Sequence, residues 1–80
     1  MAELRELSNR TIRGYHFAYD ECNEMFECRG RIMYDDEHDE MPEPKLMDAA
    51  HVLKQMLENE GLKSTVDHSE KGWVEVSISN

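Results

Sequence analysis

Residues 45–60 constrain the architecture more than any other stretch of this chain. Leu46, Ala49, Ala50, Leu53, Met56 and Leu57 recur at intervals of three and four, which gathers them on one stripe of an α-helix. Lys45, Asp48, His51, Lys54, Gln55 and Glu58 fill the opposite side. Pro44 suits the first turn, where a backbone N–H would lack a partner anyway, and Gly61 suits the position after the last turn. Leu62 can then fold back onto that turn. A helix with one apolar stripe has to bury it against another layer, and the flanking segments read as strands.

Residues 11–19 alternate, with Thr11, Arg13, Tyr15, Phe17 and Tyr19 on one face. Residues 25–35 alternate as a partner, with Phe26, Cys28, Gly30, Ile32 and Tyr34 sharing a face. Aromatic and β-branched residues at period two favour extended chain. The polar stretch from Asp20 to Glu24 supplies the turn. One register sets Phe17 opposite Ile32, Tyr15 opposite Tyr34 and Tyr19 opposite Gly30; a register two residues shorter closes on Asn23-Glu24 and keeps the same faces. Beyond the helix, residues 62–68 and 73–79 form a second hairpin across Ser69-Glu70-Lys71-Gly72. Leu62, Ser64, Val66, Val74, Val76 and Ile78 point inward, and Trp73 falls on the outer phase. Residues 1–9 fit a helical turn through Leu4 and Leu7, or the start of a strand, equally well.

The expected fold is therefore α+β, in the order β-β-α-β-β, with a helix on one face of an antiparallel sheet of about four strands. Eighty residues make a single small domain spanning 1–80. A chain of that length buries only about 60% of its unfolded surface, so its core is small. The sheet face away from the helix draws on His16, Ala18, Met25, Glu27, Arg29, Arg31, Met33, Thr65, Trp73 and Glu75. That mixture of charge with Met and Trp resembles an interaction surface more than a purely solvated one.

Charge is segregated along the chain. Of eighteen acidic residues, ten lie between Tyr19 and Glu43, opposed only by Arg29 and Arg31, so this stretch carries −8 of the formal −9. Within it, Asp35, Asp36, Glu37, Asp39 and Glu40 form a run that ends in two prolines, and residues 35–44 read as a mobile, irregular loop. An acidic chain repels phosphate backbones and anionic membranes, so direct nucleic-acid and membrane binding are disfavoured and basic proteins are the natural partners. No apolar run reaches the ~18–20 residues of a membrane span. The N-terminus lacks a basic segment followed by an apolar one, and the expected compartment is the cytoplasm.

Catalytic and metal signatures are missing from the sequence. No serine or cysteine sits in a glycine-framed elbow, and the four glycines are dispersed. The acidic run lacks the ligand offsets and the glycine of a calcium loop. Cys22 and Cys28 are spaced too widely for a zinc knuckle. Cys28 reads as a small core residue, Cys22 as a turn residue, both as free thiols. Neither enzymatic activity nor a cofactor nor a bound metal is expected.

In composition the chain is similar to small acidic proteins of phages and other mobile elements that block nucleases or repressors. The expectation is a binding protein that modulates a basic, nucleic-acid-binding partner by nucleic-acid-mimic-like contact. Asp35, Asp36, Glu37, Asp39 and Glu40 would engage its Lys and Arg side chains, and Glu21, Glu24 and Glu27 would extend the surface along the first hairpin, with Trp73 beside them. The rival expectation is a structural or regulatory homodimer joined through Trp73 and the open sheet face, the acids serving only solubility. A module responsive to divalent metal is a third.

Overall fold

The structure is a computed structural model and describes residues 7–34, 40–68 and 72–79. Elements run in the order β1 (Arg10–Ile12), β2 (Tyr15–Asp20), β3 (Met25–Arg29), β4 (Ile32–Tyr34), β5 (Glu40–Pro42), α1 (Pro44–Asn59), β6 (Lys63–His68) and β7 (Trp73–Ser79). Five strands form an antiparallel sheet in the order β1-β2-β3-β7-β6, and β4 pairs with β5 in a separate ribbon. The α+β class stands, with five strands in the main sheet instead of four.

The helix follows its sequence pattern. Leu46, Ala49, Ala50, Leu53 and Leu57 are buried, whereas Met56 is 39% exposed and belongs to the flank of the stripe. Pro44 opens the helix. At its end the Leu62 N–H donates to the Leu57 carbonyl (2.9 Å) and the Gly61 N–H to that of Glu58 (3.0 Å), the paired bonds of a glycine-terminated helix. Leu62 is buried as a result. The stripe covers Phe17, Phe26, Val74 and Val76, all without exposed surface. Tyr19 packs on Phe26 with ring centroids 4.9 Å apart. Arg10 on β1 reaches Glu60 with both carboxylate oxygens at 3.0–3.1 Å. It thereby places a cation by the carboxylate that stands at the negative end of the helix dipole.

Three departures from the sequence pattern matter. First, residues 11–19 are two strands. Arg13 (φ 51°) and Gly14 (φ 86°) both take positive φ and set Ile12 opposite Tyr15, the two-residue turn that matches strand twist. This turn resets the alternation: Ile12 is buried, and Thr11 and Arg13 are exposed. Secondly, β2 and β3 pair with Tyr19 opposite Phe26 and Ala18 opposite Glu27, four residues from the first expected register and two from the second. The cause is local. The Asp20 carboxylate accepts hydrogen bonds from the backbone of Cys22 and Asn23 and from the Asn23 amide, closing the turn early. An even shift leaves the faces unchanged, so Phe17, Phe26 and Cys28 still point inward.

Thirdly, the strand expected over 25–35 ends at Arg29. Gly30 lies where a side chain would meet Leu46 Cδ2 at 2.6 Å, and its N–H donates to Gly72 O (2.9 Å). Gly72 (φ 81°) is equally confined: a Cβ there would lie 2.5 Å from the Gly30 carbonyl oxygen. Past this crossing the chain leaves the sheet, so Arg31 and Met33 lie off the main sheet. Glu40–Pro42, expected as irregular loop, is the strand that meets Ile32–Tyr34. β3 instead takes β7 as its second neighbour, Phe26 opposite Val76 and Cys28 opposite Val74.

Candidate functional site: an acidic row across the open sheet face

The register brings distant acids side by side. Across β2, β3, β7 and β6 the residues directly opposite one another are Ala18, Glu27, Glu75 and Asp67. Each lies on the outer phase, because Phe26, Val74, Val76 and Val66 between them turn towards the helix. Three carboxylates thus occupy three adjacent strands at one level, on the face the helix does not cover. Directly opposed like charges oppose sheet pairing, so nothing about folding calls for this row.

Asp20 joins it from β2, two residues beyond Ala18, and its carboxyl shares a hydrogen bond with that of Glu27. The two acids are driven apart in acidity. Asp20 is held below the usual aspartate range, chiefly by the Asn23 side-chain amide, with the turn's backbone N–H groups assisting. Glu27 is pushed up, first by its own desolvation, then by the charge of Asp20, their hydrogen bond and the charge of Glu75. Tyr19 is also raised, first by burial and then by Glu24, Glu21 and Asp20. Its hydroxyl lies within the same negative field.

Beside the row, on the same face, Trp73 stands opposite Arg29 and is 36% exposed. Met25 stands opposite Asp20 on one side and Ser77 on the other. Glu21 and Glu24 are exposed in the β2–β3 turn, which prolongs the negative region past the strand ends. The face therefore combines carboxylates with a large aromatic ring and a thioether.

Of the residues singled out from sequence, Glu27 and Trp73 meet on this face, and Glu21 and Glu24 adjoin it. Asp35, Asp36, Glu37 and Asp39 lie outside the described residues; Glu40 opens β5, described there as backbone. Asp67 and Asp20 were missed as site residues, as was Glu75, though its outward phase was legible. The alternation that faces Val66 inward already turns Asp67 outward. What sequence could not supply is that β7 lies between β3 and β6. Glu43, counted in the acidic stretch, is committed to structure: its carboxylate accepts from the Tyr15 hydroxyl and from the Arg31 N–H (3.4 Å).

Glu43 also lines a cavity of about 560 Å³ at the start of α1, together with Tyr15, Arg31, Met33, Pro44 and Lys45. Cys22 is exposed and Cys28 buried, both as free thiols, and burial pushes the Cys28 thiol up. Among the described residues no group of three or more His, Cys, Asp or Glu is placed to hold a metal ion, and no helix is long and apolar enough to cross a membrane. Compared with known proteins, the chain matches no family model, no curated protein and no solved structure.

Proposed function

We propose that this chain is a small acidic binding protein whose open sheet face takes a basic partner, in the manner of a nucleic-acid mimic. The observation that carries the reading is the row Glu27–Glu75–Asp67 with Asp20 at its side. A row of like charges that works against its own sheet is relieved when cationic side chains settle on it, so the stability forgone in the free protein returns on binding. Trp73 and Met25 supply the apolar contacts that interface centres favour beside such charges. A groove that accepts DNA is basic and receives one charge per ~1.7 Å of duplex axis. Carboxylates spaced by adjacent strands, roughly 4.8 Å apart, present a linear run of negative charge at about a third of that density. The partner class is then a nucleic-acid-binding protein, and a phage or mobile-element origin fits an inhibitor of that kind. Two copies of the chain stacked on this face would set acid row against acid row, which favours a basic occupant over a homodimer formed there.

The test is capture from a lysate of the native source on immobilised protein, with elution by a salt gradient. A basic nucleic-acid-binding protein released between about 0.1 and 0.5 M salt is expected, displaced by added duplex DNA and absent when Glu27, Glu75 and Asp67 are changed together to Lys. Retention of the same protein by that triple variant, and by a variant reversed over residues 35–40, would refute the reading.

A further inference from the structure

We propose that two copies of this chain join through the outer edge of β6, pairing antiparallel about Thr65 to make one continuous ten-stranded sheet. The main sheet has two edges, and they are not alike. β1 has three residues, and its Arg10 is committed to Glu60. β6 has six, Lys63 to His68, and no strand meets its outer side among the described residues. An edge of that length is a template for another strand unless proline, a bulge, a covering element or awkward charge blocks it. β6 contains no proline, and its pairing with β7 runs without a bulge from Lys63↔Ser79 to His68↔Val74.

The charges it carries are the informative part. Lys63 and Asp67 lie on the open face, two residues to either side of Thr65. In a two-fold antiparallel pairing that keeps both open faces on one side, opposed residues must share a phase. Centred on Thr65, that pairing sets Lys63 against Asp67 of the second copy, Asp67 against its Lys63, and Thr65 against Thr65. Opposite charges and threonine pairs are both favourable when directly across from each other. Centring on Ser64 or Val66 loses both ion pairs. On the helix side, Ser64 would meet Val66 of the second copy. Ser64 already donates to the Lys54 carbonyl (3.4 Å), and Val66, half-buried in the single chain, would lose its remaining exposure.

Electrostatics favour this edge for a second reason. A chain of net charge −9 resists self-association, and the joining strand has equal numbers of Lys and Asp. The pairing would also end each acidic row on a cation, since Asp67 is its last member and Lys63 of the second copy stands next in line. About four to six new main-chain hydrogen bonds form, depending on which residues face outward. The acid rows themselves stay uncovered, and only Asp67 belongs to both the row and the edge pair.

Sedimentation or light scattering tests it, with the wild-type chain at up to about 0.5 mM so that millimolar association is detected. The wild type is expected as a dimer. Lys63→Asp and Asp67→Lys, each alone, are expected to weaken it by roughly tenfold or more, because two attractive pairs become two repulsive ones. Mixed in equal amounts, the two variants are expected to form a heterodimer as tight as the wild-type pair. Circular dichroism confirms that each variant is folded. A monomeric wild type, single variants that dimerise undiminished, or a mixture that stays monomeric would each overturn the proposal.

Discussion

Glu75 sits between two like charges, Glu27 on one side and Asp67 on the other, and Glu75→Gln should therefore stabilise the protein. The substitution keeps the size and the strand propensity of the side chain and removes one charge from the middle of the row. At a separation of roughly 6 Å in water-like surroundings each repulsive pair costs about 0.7 kcal/mol, and about half of that survives screening at physiological ionic strength. Two pairs then give a gain of roughly 0.7 kcal/mol at 0.15 M salt and about twice that at low salt, within the range found for directly opposed residues on strands. With a urea slope of about 1.2 kcal/mol per molar, the midpoint should rise by roughly 0.6 M at physiological salt with the slope unchanged. The assay is urea unfolding followed by far-ultraviolet circular dichroism at several salt concentrations. A lower midpoint, or a gain that does not shrink as salt rises, would show that Glu75 is held by a favourable contact and that the row is not a repulsive one. If the proposed function holds, the same variant should bind its partner more weakly while being harder to unfold.

Glu27 has a folded acidity pushed above its unfolded value, so its contribution to stability is full below the ordinary glutamate range and is lost as pH rises through the folded value. Glu27→Gln should accordingly be the more stable form at neutral pH and lose that advantage on acidification; Asp20→Asn should behave oppositely, its loss at neutral pH fading as the lowered Asp20 value is passed. Both are read from unfolding curves across pH. Gly14→Ala should cost about 1–2 kcal/mol for its backbone conformation alone, since no atom lies within 4 Å of the new Cβ. Gly72→Ala adds a collision with the Gly30 carbonyl and the loss of a hydrogen bond, and should cost about 3 kcal/mol or more; equal losses in the two variants would refute the crossing as described. A thiol reagent should modify Cys22 at once and Cys28 only at the rate of unfolding, as mass spectrometry would show.

What the sequence made legible was local. The helix showed in the spacing of Leu46, Leu53 and Leu57, its end in Gly61-Leu62, and the inward rows of β6 and β7 in plain alternation. Two turns were hidden for different reasons. Arg13-Gly14 lacks the Asn or Asp that usually marks a two-residue hairpin, so its alternating neighbours read as one strand. The Asp20 turn is marked by a side chain that bonds its own backbone, a signal that fits several loop lengths until the bonds are seen. The order of strands was not legible at all, because no neighbouring residues encode the pairing of β3 with β7. The acidic row follows from that pairing, so the sequence could show acids on the outer phase without showing them in line. Charge counted along the chain pointed to residues 35–40, whereas charge placed by the sheet points to Glu27, Glu75 and Asp67.

The pairing of β3 with β7 also dictates the order in which the chain can fold. The two strands are separated in sequence by the ribbon, the helix and β6, so the middle of the sheet closes only when most of the chain is available, and contacts of such long separation slow the search. On a ribosome, the β1–β2–β3 meander would emerge with Phe17 and Phe26 uncovered before α1 is made, and the place beside β3 would stay open until β7 had followed. A chain halted before Trp73 should accordingly show little fixed structure by circular dichroism. The central sheet would thus close only once β7 is present.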